Sequence, residues 1–67
     1  MEYYSLRSSL VRNILYDENA GNLDLFFVNG EIRRFSDVPK DVVQKLTQSK
    51  SPGRYYMRAI RDKYPRR

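Results

Sequence analysis

The dipeptide Asn29-Gly30 separates an apolar run at residues 23–28 from a second strand-like segment at residues 31–35. Such a pair between two strand patterns is a strong short-range hairpin signal, because a two-residue type I′ turn needs positive φ at both central positions. A two-residue turn sets Val28 opposite Glu31, Phe27 opposite Ile32, Phe26 opposite Arg33, Leu25 opposite Arg34 and Asp24 opposite Phe35. Directly opposed residues project to one side of a sheet. The predicted core face therefore carries Leu23, Leu25, Phe27 and Ile32, with Arg34 at its end. The other face carries Asp24, Phe26, Val28, Glu31, Arg33 and Phe35 and is expected to be at least partly wet.

The rest of the chain reads as a short α+β unit. Residues 9–16 are rich in strand formers and short for a helix, so a strand is expected there. Residues 17–22 form a turn cluster in which Asp17 and Glu18 are expected to cap backbone groups. Val38-Pro39 opens a helix, with proline at the first helical position and Val42, Val43 and Leu46 as its buried stripe. Ser51 and Pro52 open a second helix as N-cap and N1, and Pro65 stops it after about Tyr64. The expected architecture is α+β: a three-stranded antiparallel β-meander followed by two C-terminal α-helices packed on one sheet face. The expected core is Val11, Ile14, Leu23, Leu25, Phe27, Ile32, Val38, Val42, Leu46, Tyr56 and Ile60. A chain of 67 residues reads as one domain, residues 1–67, with a thin core.

Composition excludes several chemistries. The chain has no cysteine and no histidine, which removes disulfides, the common zinc and haem sites, and Ser-His or Cys-His nucleophiles. The carboxylates are scattered and no glycine-rich phosphate loop is present, so neither an enzyme nor a cofactor is expected. The longest apolar run, Leu25-Phe26-Phe27-Val28, is too short to span a bilayer, and the N-terminus lacks a signal-peptide pattern. A cytoplasmic protein without a membrane partner is the expectation.

Charge supplies the functional lead. From Lys50 onward, Lys50, Arg54, Arg58, Arg61, Lys63, Arg66 and Arg67 face a single acid, Asp62, for a local +6 in a chain of net +5. A concentrated positive end attracts polyanions, nucleic acid first among them. On a helical wheel Arg54, Arg58 and Arg61 share a narrow arc, while Tyr56, Met57, Ile60 and Tyr64 cluster opposite and are expected to face the sheet; Lys63 lies at the apolar edge, where it can snorkel. The arginine arc suits phosphate, and it equally suits a solvated helix face. Arg33, Phe26 and Phe35 on the wet sheet face can stack bases and pair with phosphate, or they can form a satellite core under an N-terminal arm of Tyr3, Tyr4 and Leu6. The satellite core is the stronger of those two alternatives.

With its segments placed, the chain resembles the KTSC domain, a module of about this length found at the C-terminus of some lysyl-tRNA synthetases and as small standalone bacterial and phage proteins. The resemblance runs from about Leu6 to Arg67. It is carried by Ser8-Ser9, Val11, Ile14, Tyr16-Asp17, Leu23, Leu25, Phe27, Gly30, Asp37-Val38-Pro39, Val42, Leu46, Ser51, Gly53, Tyr55-Tyr56, Ile60, Arg61 and Tyr64. The chain departs from the family pattern at Arg33 and Phe35, where the family has a Tyr-x-Tyr, at Met57, usually Asn, at Leu15, often Gly, and at Val43, often Tyr. The association with a tRNA-charging enzyme implies an RNA-binding role.

The functional expectation is a non-catalytic nucleic-acid-binding module, RNA before DNA. Arg54, Arg58, Arg61, Lys63, Arg66 and Arg67 are the expected phosphate contacts, with Arg33, Phe26, Phe35 and Tyr55 adding stacking or positioning. The alternative is a protein-interaction module or homodimer docking through the Phe26/Phe35 face or a sheet edge.

Overall fold

Four strands, not three, make up the antiparallel sheet of the computed structural model, which describes all 67 residues. The elements are β1 (Glu2–Ser5), β2 (Val11–Asp17), β3 (Asn22–Phe27), β4 (Ile32–Phe35), α1 (Lys40–Gln48) and α2 (Pro52–Ala59), with the strands side by side in chain order. The additional strand is the N-terminal arm. Its tyrosines favour extended backbone, and it pairs edge-on with β2, Tyr3 opposite Leu15 and Tyr4 opposite Ile14. It does not fold across the sheet face. The β1–β2 connection is closed by Ser8, whose Oγ accepts from the amides of Leu10 (3.0 Å) and Val11 (3.2 Å). That turn chemistry delays the start of β2 to Val11, two residues beyond the expected Ser9.

The β3–β4 hairpin corrects the expected register by one residue. Leu23 faces Phe35, Asp24 faces Arg34, Leu25 faces Arg33 and Phe26 faces Ile32. The loop has three residues rather than two. The Gly30 amide donates to the Phe27 carbonyl (3.0 Å), and the Phe27 amide donates to the Glu31 carbonyl (2.8 Å). Only Gly30 of the Asn-Gly pair takes positive φ, at 93°, so the turn is not type I′; it has the form of a turn followed by a glycine bulge. A one-residue slip moves every side chain of the second strand to the other face. Phe35 consequently enters the core with no exposed surface, and Ile32, expected inside, is 47% exposed. Arg34 leaves the core face to stand opposite Asp24, its Nε 3.5 Å from an Asp24 carboxylate oxygen. Burying an aromatic ring while removing a cation from the core favours this register.

Both helices cover the face that carries Ile14, Tyr16, Leu23, Leu25, Phe27 and Phe35, and add Val43, Leu46, Tyr56 and Ile60 to it. Val42 is only half-buried at the margin. The Phe27 and Phe35 rings each meet Tyr56 edge-on, at 5.3 and 6.1 Å between centroids, an arrangement that favours the ring quadrupoles. The buried Tyr16 hydroxyl donates to the Val38 carbonyl (2.7 Å) and so ties the sheet to the approach to α1. Pro39 is the N-cap of α1 rather than its first helical residue, so the helix starts at Lys40, one residue later than expected. Asp17 does cap its turn, accepting from Asn19 and Ala20, while Glu18 pairs instead with Lys40.

The second helix is shorter than expected, ending at Ala59. The amides of Ile60 and Arg61 both donate to the Tyr56 carbonyl, and the chain then turns away from the helix axis. Arg61, Lys63 and Tyr64 therefore lie outside α2. The turn serves a tertiary purpose. It returns the C-terminal residues to the outer edge of β4, where Ser36 donates to the Pro65 carbonyl (2.8 Å), Arg67 donates to the Arg34 carbonyl (3.0 Å), and Arg66 bridges Phe35.

Candidate functional site

The fold sorts the cations into paired and unpaired sets. Arg33, Arg34, Lys40, Arg61 and Arg67 each have a carboxylate partner. Three of the unpaired cations, Arg7, Lys50 and Arg54, meet around one groove of about 430 Å³. One wall is the β1–β2 loop, with Arg7, Ser8, Ser9 and Leu10, and the other is the entry and first turns of α2, from Lys50 to Arg54 with Met57. No carboxylate lines it. A second hollow, beside Lys40, differs in this respect, because Glu18 and Asp37 share its rim.

Glycine at position 53 makes the groove possible. A Cβ there would stand 2.9 Å from Leu10 Cβ and 3.3 Å from Ser8 Oγ. Only a bare backbone lets the loop press this closely against the start of the helix, which brings the Ser8 hydroxyl beside the first turn. Ser8 Oγ already accepts two amide hydrogens, and its own proton remains available to a further acceptor. Ser51 makes no side-chain capping bond. The Gly53 and Arg54 amides, with no preceding turn to bond to, keep their donors open as well.

The expected site residues divide into three groups. Arg54 and Arg58 are exposed on α2, Arg54 in the groove and Arg58 with its guanidinium 6.0 Å from the ring of half-buried Tyr55. Arg61 does not continue that arc; it lies beyond the helix and pairs with Asp62 at 3.6 Å. Lys63 is exposed in the turn that follows α2.

The second group belongs to the tail. Arg66 lies over the Phe35 ring at 5.7 Å, and Arg67 donates to the Asp24 carboxylate. These side chains hold the tail on β4, and Arg67 is neutralised by that contact. The third group is the sheet residues. Phe35 is wholly buried and offers no stacking surface, contrary to expectation. Arg33 sits on the helix-covered face, 5.2 Å over the Phe27 ring, and donates to Tyr56 Oη (3.3 Å) and to Glu31. The Tyr56 bond first, and then Glu31, hold its guanidinium pKa above the ordinary value. Phe26 is half-buried on the open face beside Asn13 and Ile32.

Sequence reasoning missed Arg7, Ser9, Lys50, Ser51 and Met57 as groove residues. Met57, expected against the sheet, is 48% exposed at the groove edge. The only prior signal was positional. Ser8-Ser9, Ser51 and Gly53 carry the family resemblance, yet they are small polar residues without an obvious core role.

No helix is long and apolar enough to cross a membrane, and no cluster of three or more acidic, cysteine or histidine side chains is placed to hold a metal ion. The profile of the KTSC domain matches residues 7–64. An uncharacterized protein of Stutzerimonas stutzeri is 32% identical over 66 residues, which covers 98% of this chain and 93% of the relative. The crystal structure of a KTSC domain protein from Yersinia pestis superposes with a TM-score of 0.90 at 24% identity, covering 98% of this chain and 93% of that one. That likeness establishes a shared fold.

Proposed function

The chain belongs to the KTSC domain family, and from that premise we propose that it is a small non-catalytic module that binds nucleic acid, RNA before DNA. The observation that carries the reading is the groove, with three cations, hydroxyl donors and no carboxylate. An unneutralised cation cluster is costly to maintain without an anion to meet it, whereas this protein pairs most of its sheet cations internally. Arg58, adjacent on α2 and also unpaired, extends the contact surface beyond the groove. Phosphates bind here by charge-assisted hydrogen bonds from Arg54, Arg58, Arg7 and Lys50. The family's place beside a tRNA-charging enzyme favours RNA over DNA.

The test is a fluorescence-anisotropy titration of single-stranded RNA, duplex RNA and duplex DNA, each at low and near-physiological salt. A preference for RNA that persists at the higher salt supports the module, and Arg54→Glu with Arg58→Glu should abolish it. Weak, equal binding to all three that vanishes with salt would sink the reading.

A second reading, a homodimer or protein-docking module, is favoured by the open sheet face. Tyr3 at 61% and Ile32 at 47% exposure flank half-buried Leu15 and Phe26 there. The Phe26/Phe35 surface first considered is not available, since Phe35 is buried, and the C-terminal tail occupies the β4 edge. Under this reading Phe26→Ser lowers the mass in sedimentation, while the Arg54/Arg58 charge reversal leaves it unchanged.

A further inference from the structure

We propose that the groove between the β1–β2 loop and α2 is a receptor for a phosphate monoester, so that the preferred RNA carries a terminal phosphate. The inference rests on the nucleic-acid reading and narrows its ligand. Its first support is the charge count. Arg7, Lys50 and Arg54 converge on one groove, none has an ion-pair partner, and no carboxylate shares the lining. An internal phosphodiester carries a single negative charge and offers two free oxygens. A monoester carries about −1.5 to −2 near pH 7 and offers three. Three cations around one groove match the second ligand better than the first.

The neutral donors agree. The Ser8 acceptor is satisfied within its own loop by two amides, which leaves its proton as the outward group. Ser9 and Ser51 are exposed on opposite walls. Donors that approach from two separate chain segments suit an end group entering between them rather than a strand running past. The walls are held together by the Gly53–Leu10 contact, so the donors are arranged before the ligand arrives.

The groove also has room beyond the phosphate. Its volume of about 430 Å³ falls in the range of small-ligand clefts. Leu10 and Met57 add apolar surface to the lining, with Met57 about one turn beyond Arg54 on α2. Exposed Met57 gives the first nucleoside an adaptable surface to rest on.

The experiment compares one single-stranded RNA sequence bearing a 5′-phosphate, a 3′-phosphate or no terminal phosphate, by anisotropy. Inorganic phosphate is titrated in parallel into ¹⁵N-labelled protein. A terminal phosphate should tighten binding by about tenfold, the effect of one charged hydrogen bond. The two phosphorylated RNAs show which end is read. Arg7→Ala, an exposed change off the α2 arc, should erase the difference between phosphorylated and unphosphorylated RNA while leaving the thermal melt nearly unchanged. Phosphate should shift the amides of Ser9, Ser51 and Gly53 saturably. If all three RNAs bind equally and phosphate moves none of those amides, the monoester site is overturned while RNA binding stands. If phosphate binds saturably at those amides but no RNA binds, the RNA reading falls and the site remains.

Discussion

Tyr16, Phe27 and Gly53 show how single residues hold this thin core. Tyr16 is buried and spends its hydroxyl on the Val38 carbonyl. Burial pushes the pKa of that phenol above its ordinary value, so it stays a donor throughout the neutral range. Tyr16→Phe leaves the carbonyl without its partner and should cost about 1–3 kcal/mol in urea unfolding. Phe27 sits against Tyr56 and under Arg33; Phe27→Ala should cost about 3–5 kcal/mol, much of the stability available to a domain this small. Gly53→Ala must displace Leu10 and should destabilise by about 1–3 kcal/mol. Phe27 was legible as core from alternation alone. Phe35 was not, because its side of the sheet depended on a loop one residue longer than its turn dipeptide implied.

At the scale of elements, the two ends of the chain are fastened differently. β1 is anchored by a partly exposed polar network in which Tyr4 Oη donates to Glu2 and Lys40 lies between Glu2 and Glu18. The Tyr4 hydrogen bond, with Lys40 nearby, holds the Glu2 carboxyl below its ordinary value of 4.5. The Asn29 amide and then Arg33 do the same for Glu31. A carboxyl depressed in the folded state adds stability that is present above its unfolded pKa and is lost as pH falls through the folded one. Thermal melts should therefore drop as pH is lowered below about 4.5, and Glu2→Gln should make that decline shallower; Glu2 is partly open and Glu31 open to solvent, which screens both, so the change is small.

The C-terminal tail is fastened by backbone pairing and by Arg67 on Asp24. Removing residues 65–67 frees the Ser36 amide from the Pro65 carbonyl, and hydrogen exchange at Ser36 should accelerate while the amides between β2 and β3 keep their protection. Unchanged exchange at Ser36 would show that the tail does not cover that edge in solution.

Across the whole molecule, charge is separated by pairing as much as by position. The basic C-terminal quarter contributes less free charge than its composition suggests, since Arg61 and Arg67 are paired and Arg66 is engaged with Phe35. Three cations without a carboxylate partner, Arg7, Lys50 and Arg54, meet at the groove. For single-stranded RNA, the slope of log affinity against log salt should lessen by roughly 0.7 for each phosphate contact removed. Arg7→Ala and Arg54→Ala should each produce that change, and Arg67→Ala should not. Equal effects from all three would mean that the ligand senses net charge rather than the groove.

The amino-acid sequence by itself determined the α+β class, the order of three strands and two helices, most of the core and the predominance of positive charge. Those properties are local: alternation, capping residues and composition act over a few neighbours, so they survive without knowledge of the fold. Tertiary structure alone decided the β3–β4 register, the pairing of the N-terminal arm as β1, the early end of α2 and the groove. An Asn-Gly dipeptide is compatible with loops of either two or three residues, and the choice rests on burying Phe35 and expelling Arg34. The groove joins residues more than forty positions apart, Arg7 with Lys50 and Arg54, through a contact that exists only where Leu10 reaches Gly53. No local pattern encodes such a meeting, because its stability comes from packing between distant segments.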